Sequence, residues 1–250
     1  MYKEVTVVIM IKLADISVSY GDNTIYDNFS CEFGKGVNVV VGQSGSGKTT
    51  LLSVIANLVE YSGSCQSDKV AMVFQTPSLA PISVYNNVLA VIDGKTGREQ
   101  IENVLKLAQI FELKDKKSTT LSGGEQQRVA LARAFAANRS VLLLDEPFHS
   151  LDYGIRCKLY DTLHTLLKNY DKTVVLVTHD IDEALALADN IYLLANRPAS
   201  LTHVAELTTP REQRSPYSDE TIALRKQLQE HLIVEASKTA EASVNDLKNR

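Results

Sequence analysis

Gly42-Gln43-Ser44-Gly45-Ser46-Gly47-Lys48-Thr49 follows the apolar run Val37-Asn38-Val39-Val40-Val41 and precedes Thr50-Leu51-Leu52-Ser53-Val54-Ile55-Ala56. The octet has the spacing GxxxxGK[ST], and each residue type in it has a physical task. Glycines let the backbone approach a polyanion, and successive N–H groups turn inward. The Lys48 ammonium reaches β/γ-phosphates, and the Thr49 hydroxyl suits Mg²⁺. The run before it predicts a buried strand and the run after it a helix, whose N-terminus adds partial positive charge where phosphates would sit.

Outward from this loop, strand signals alternate with helix signals, which predicts an α/β protein with a largely parallel sheet. Ile16-Ser17-Val18-Ser19-Tyr20 alternates at period two and ends in the turn Gly21-Asp22-Asn23; a second strand is expected through Phe29 to Phe33. Lys69 to Phe74 predicts a strand ending at Gln75. Val141 to Glu146 predicts a buried strand closing on two carboxylates, and Thr173 to Thr178 another closing on His179. In open α/β sheets ligands gather at the carboxyl ends of the strands. From about Thr76 to Ala137 the pattern is helical without strands. Ile101, Val104, Leu105, Ala108 and Phe111 mark one helical face, and Lys114-Asp115-Lys116-Lys117 reads as a solvated connector. Ser122 and Glu125 form a capping-box signature at the start of the last helix of this stretch. Asn190 to Leu194 predicts a strand, with a turn at Asn196-Arg197-Pro198, a short strand and a helix around Ser218 to Leu232 after it.

The chain has 250 residues, enough for a full core in one or two domains. A net charge of -4 and the lack of a long basic stretch argue against nucleic acid as a main partner. Cys31, Cys65 and Cys157 are odd in number and lack metal-ligand spacing, as expected of reduced cytosolic thiols. No apolar run reaches the length of a membrane span. Val5 to Ile11 is short and lacks a cleavage site, so it reads as an edge strand rather than a signal peptide. Met10 offers an alternative start, with residues 1 to 9 as an extension.

With the string Leu121-Ser122-Gly123-Gly124-Glu125-Gln126-Gln127-Arg128 added, the motifs in this order and spacing resemble the nucleotide-binding subunits of ATP-binding cassette transporters, from about Ile11 to Leu232. The resemblance implies a P-loop NTPase core of residues 1–75 and 138–232, with a mixed, largely parallel sheet and an N-terminal antiparallel part. It also implies an inserted helical subdomain over 76–137 and a flexible tail over 233–250. It implies ATP and Mg²⁺ as ligands, and a homodimer with two ATP molecules between head-to-tail chains.

The same resemblance assigns site residues. Tyr20 would stack on adenine, and Gly42, Gln43, Ser44, Gly45, Ser46, Gly47, Lys48, Thr49 and Thr50 would hold the phosphates. Ser122, Gly123 and Gly124 would reach the γ-phosphate bound to the opposite chain. Thr49, Gln75 and Asp145 would serve the metal; Glu146 would be the general base, and His179 and Gln75 would order the water. His149-Ser150-Leu151-Asp152 departs from the usual Ser-Ala-Leu-Asp, with Asp152 retained, and the segment after Gln75 lacks a common Trp.

The function implied is ATP hydrolysis that energises an importer. The chain would lie at the cytoplasmic face of the membrane under integral permease subunits, with a solute-binding protein as an indirect partner. The region from Asn196 to Leu232 resembles the nitrate, sulfonate and taurine import group. A small anion or an organosulfur or nitrogen compound is therefore the expected solute. The rivals are a soluble ATPase of the same superfamily, such as an iron–sulfur assembly subunit, and a DNA-repair or chromosome-organising ATPase; the second is disfavoured by charge and by the lack of a long coiled-coil insertion.

Overall fold

The computed structural model describes residues 11–92, 97–149 and 151–248, with side chains described to 234 in the last helix. It is an α/β fold with a mixed, largely parallel sheet and a small antiparallel sheet. Its described residues divide into two compact units, the first within 67–174 and the second within 11–66 and 175–248. The edge strand expected over Val5 to Ile11 lies, except for its last residue, outside the described residues.

In the second unit, β1 (Ile11–Tyr20) lies between β2 (Asn23–Phe33) and β4 (Ser62–Gln66), antiparallel to both. Ile11, Leu13, Ile16 and Val18 are buried, while register shifts between Leu13 and Ile16 twist the strand. Both β1 and β2 are longer than Ile16 to Tyr20 and Phe29 to Phe33. Strand β4, Ser-Gly-Ser-Cys-Gln, is mostly exposed and has no apolar period for sequence reading to find. The central strand β3 (Val37–Val41) is buried at every position and runs parallel to β8 (Asn190–Ala195). Burying a valine stabilises by roughly 1.5–3 kcal/mol, so the four valines of β3 set the position of the loop that leaves it. Strand β9 (Ser200–Glu206) pairs antiparallel to β8.

Helix α1 (Lys48–Ile55) follows the phosphate loop and buries Leu51, Leu52, Val54 and Ile55. Helix α6 (Ile181–Leu187) begins at Asp180, whose Oδ1 accepts from the N–H groups of Asp182 (2.8 Å) and Glu183 (3.4 Å). Its C-terminal carbonyls are served from far along the chain: Arg211 Nε donates to Leu187 and Arg214 Nη1 to Ala188, at 2.8 and 2.5 Å. Cations there also suit the helix dipole. The C-terminal helix α7 (Asp219–Lys248) is longer than the expected Ser218 to Leu232; it buries Leu224 and Leu228 and pairs Arg225 with Asp182 of α6 at 2.7 Å.

In the first unit, β5 (Val70–Val73) is parallel to the fully buried β6 (Val141–Asp145). Between them in sequence run α2 (Val84–Leu89), α3 (Arg98–Leu107), two single turns of 3-10 helix and α4 (Gly123–Ala136). Ile101, Val104, Leu105 and Ala108 are buried as one face, but Phe111 lies beyond α3 in a short turn, half-buried under the ammonium groups of Lys106 and Lys114. Helix α5 (Tyr153–Asn169) starts at Asp152, whose side chain accepts from Ile155 N–H at 3.0 Å. Strand β7 (Thr173–Thr178) carries the chain from one unit into the other.

Candidate nucleotide-binding site

The loop Gly42 to Gly47 leaves buried β3 and enters α1, with Gly45 at φ +80° and Gly47 at φ +103°. A Cβ at Gly47 would stand 2.9 Å from Ile25 Cγ2 and 3.1 Å from the Tyr26 hydroxyl, so both conformation and space exclude a side chain. Lys48 is 5% exposed, and its Nζ donates to the carbonyls of Gly42 and Gln43 at 2.9 and 2.8 Å. This places the ammonium inside the turn it would share with an anion. The Ser46 hydroxyl is buried without a hydrogen-bond partner among the described residues, an unsatisfied group that a phosphate oxygen would satisfy. Thr49 is exposed at the helix start, and Thr50 is partly covered.

Other parts of the same unit carry further candidates. Tyr20 is 52% exposed at the β1–β2 turn. Gln43 Nε2 donates to the Leu232 carbonyl of α7 at 2.8 Å. Arg197, from the β8–β9 turn, reaches Gly45, and a small cavity is lined by Gln43 to Ser46, Asn196, Arg197 and Leu232. His179 is exposed between the buried end of β7 and capped α6. Thr178 Oγ1 donates to Glu183 at 2.6 Å and accepts from Asp180 N–H at 3.0 Å, which fixes the backbone on either side of it. His179 also lines an open groove with Asp182, Arg225 and Gln229.

The first unit holds the remaining candidates. Asp145 is the buried last residue of β6, and Glu146, half-buried directly after it, has φ +43°. A non-glycine residue held in the left-handed region stores strain of order 1–3 kcal/mol, the kind of cost found at functional sites. His149 Nδ1 lies 3.5 Å from Glu146 Oε2. Gln75 is exposed just past β5. Ser122 and Gly123 are exposed at the N-terminus of α4, and the capping box is present: Ser122 Oγ accepts from Glu125 N–H at 3.4 Å and Glu125 Oε2 from Ser122 N–H at 2.8 Å. Those bonds from Ser122, backbone first, hold the Glu125 carboxyl below its usual range. Gly124 is buried, where its Cβ would stand 2.6 Å from Ile155 Cγ2, so α4 packs directly on α5.

Sequence reading missed Tyr26, Arg197 and Asn87. Tyr26 is fully buried and donates to Gly47. Asn87, 1% exposed, binds the carbonyls of Ala80, Ile82 and Ser83 and the N–H of Ala80. It braces the loop that presents Pro81 and Ile82. The apolar pair Ile25-Tyr26 beside Gly21 was the available signal for the first; the others depend on contacts distant in sequence.

A parallel strand, a glycine loop with the shape of an anion cradle and a helix N-terminus, with a lysine inside the turn, define a nucleotide-binding protein of the phosphate-loop class. Residues 26–149 match the family described as ABC transporter. The chain is 38% identical over 214 residues to "Aliphatic sulfonates import ATP-binding protein SsuB 1" of Pseudomonas syringae pv. syringae (strain B728a), covering 82% of this chain and 90% of that protein. It is 35% identical over 223 residues to "Spermidine/putrescine import ATP-binding protein PotA" of Haemophilus influenzae (strain ATCC 51907 / DSM 11121 / KW20 / Rd), covering 81% and 59%. The structure of cbiO1 from Clostridium perfringens, described as part of the ABC transporter complex cbiONQ, superposes with a TM-score of 0.71 at 25% identity, covering 88% of this chain and 95% of that one. The chain belongs to the ABC transporter family. It is a nucleotide-binding subunit with ATPase activity, similar to those of importers. Among the described residues no helix is long and apolar enough to cross a membrane.

Proposed function

We propose that the chain hydrolyses ATP as a homodimer at the cytoplasmic face of a membrane, and that closing and opening of the dimer drives an importer's permease subunits. One observation carries this reading. The chain bears both a phosphate cradle with a buried lysine and a separate, exposed Ser122-Gly123 turn at a helix N-terminus. A second copy placing that turn over the cradle would enclose the γ-phosphate.

Tyr20 stacks on the adenine, and the loop N–H groups, Lys48 and Thr50 hold the polyphosphate. Glu146 takes the proton of the attacking water, its carboxylate aimed by the left-handed backbone at the end of β6. His179 and Gln75 orient the water and the γ-phosphate. Catalysis is then positioning and charge stabilisation, with no covalent intermediate on the protein. The Thr49 hydroxyl, the Gln75 side chain and the Asp145 carboxylate are hard oxygen donors that suit Mg²⁺, which supplies compensating charge on the phosphates when bound. The helical stretch 76–137 serves as a subdomain on the core of 1–75 and 138–232.

The relatives are named for import of sulfonates and of spermidine or putrescine; a small organosulfur or nitrogen solute, delivered by a solute-binding protein, fits the first group. The test is Glu146→Gln, which keeps shape but loses basicity. Hydrolysis should fall about 10²- to 10⁴-fold while ATP binding persists. The variant should elute as a dimer with ATP and as a monomer without it, and Ser122→Arg should abolish that dimer. Normal hydrolysis by Glu146→Gln would remove the base assignment. Recovery of the parent from cells in a soluble complex, with no integral membrane protein, would favour the iron–sulfur assembly alternative.

A further inference from the structure

Two side chains from outside the phosphate motif hold its carbonyl groups. The hydroxyl of Tyr26, a fully buried residue of β2, donates to the Gly47 carbonyl at 2.8 Å. Arg197, exposed on the β8–β9 turn, donates from Nη2 to the Gly45 carbonyl at 2.5 Å and from Nη1 to Asn23 Oδ1 at 3.4 Å. The turn carrying Arg197 is itself fastened beside Tyr26, because Ala199 N–H donates to the Ile25 carbonyl at 2.8 Å. Burial keeps the Tyr26 phenol protonated well above its ordinary range, so it remains a donor at every pH the protein meets.

A trans peptide unit is planar, with its C=O and N–H pointing in opposite directions. Drawing the Gly45 carbonyl toward Arg197 therefore turns the Ser46 N–H the other way, and drawing the Gly47 carbonyl toward Tyr26 does the same for the Lys48 N–H. Both residues are glycines at positive φ, with no side chain at their own Cα to hold the peptide plane. The Ser46 N–H closes a turn on the Gln43 carbonyl at 3.2 Å, a long bond that a phosphate oxygen can replace. The two external donors sit at alternate carbonyls, Gly45 and Gly47, and so bear on the alternate N–H groups of Ser46 and Lys48.

We infer that Tyr26 and Arg197 are positioning residues for the nucleotide's polyphosphate, each fixing one peptide plane of the loop before the anion arrives. The inference rests on the nucleotide-binding reading above and extends it to residues outside the motif. The Gly47 carbonyl also accepts from Leu51 N–H at 2.8 Å, the first bond of α1; without the two external donors the two peptide planes would be held less firmly, and completing their order on binding would weaken it.

The test is equilibrium binding of ATP, ADP and AMP to Tyr26→Phe, Arg197→Gln and Arg197→Lys, with the thermal midpoint of each nucleotide-free variant as the check on folding. Tyr26→Phe and Arg197→Gln should each weaken ATP and ADP about 5- to 20-fold, the scale of one charge-assisted or buried hydrogen bond. AMP, which places one phosphate only, should change by less than twofold. Arg197→Lys keeps the charge but lacks the fork that spans Gly45 and Asn23, so it should bind ATP nearly as weakly as Arg197→Gln. Parental ATP affinity in Arg197→Lys would assign Arg197 to charge attraction and overturn its part. Parental affinity in both Tyr26→Phe and Arg197→Gln, or equal losses for AMP and ATP, would overturn the inference. Should Tyr26→Phe fail to fold, the exposed Arg197 variants decide it alone. Lys48→Ala separates the two levels: a parent that binds no ATP removes the nucleotide site itself, whereas loss of binding only in Lys48→Ala removes the positioning role and leaves the site standing.

Discussion

His149 turns its ring toward Glu146, Nδ1 to Oε2 at 3.5 Å, and its N–H donates to the Glu146 carbonyl at 3.1 Å. The ring engages one oxygen of the carboxylate. With Glu146 as the base, His149→Ser, which frees that oxygen, should turn over ATP several-fold faster than the parent at unchanged ATP affinity. An equal rate would leave His149 without influence on the base.

Gly124 marks the closest approach of α4 to α5. Gly124→Ala places a methyl group against Ile155, and overpacking of this kind costs roughly 1–3 kcal/mol, offset in part by alanine's better helix propensity. A net loss of about 1 kcal/mol by urea denaturation is expected. In the double variant Gly124→Ala with Ile155→Ala, the two losses should sum to more than the measured total, because the second substitution makes room for the first. Strict additivity would mean that the contact is not the cause.

The loop before α2 offers two substitutions with opposite readouts. Ile82 is 38% exposed next to exposed Pro81, and Phe74 earlier in the same connection is also exposed, so an apolar partner would be expected to dock on this segment. Ile82→Glu should leave ATP affinity and the urea midpoint unchanged while removing co-purification with the permease subunits. Asn87→Ala should instead destabilise the fold by about 2–3 kcal/mol, since it strips partners from the Ala80 N–H and from carbonyls at Ala80, Ile82 and Ser83. Unfolding of Ile82→Glu would assign that side chain to the core.

Burial, with smaller contributions from Cys65 and Glu32, pushes the Cys31 thiol from 9.0 up to about 12. The folded-state value lies above the unfolded one, so the stabilisation is complete below pH 9 and is lost as pH rises from 9 toward 12. Under reducing conditions Cys31→Ala should therefore lose less stability than the parent between pH 8 and 10.5, by at most about 2 kcal/mol. A larger alkaline loss in the variant would contradict the sign.

The sequence by itself determined the features whose causes are local. Gly42 to Thr49 is legible because eight consecutive residues make the turn, and β3, β6 and β7 because strands buried at every position read as nearly continuous apolar runs. Ser122 and Glu125 are a capping box across three residues, and both bonds are present. Tertiary structure alone decided what depends on distant partners. Strand β4 exists because β1 pairs with it through the backbone, which leaves no period in Ser62 to Gln66. Phe111 followed the period of α3 on paper, but the helix ends at Leu107. Tyr26 meets Gly47 across 21 positions, Arg197 meets Gly45 across 152 and Gln43 meets Leu232 across 189. Such contacts leave no mark on local propensity or periodicity. They arise when burial of β3 and its neighbours brings the chain segments together, and their free energy then depends on geometry that only the folded chain supplies.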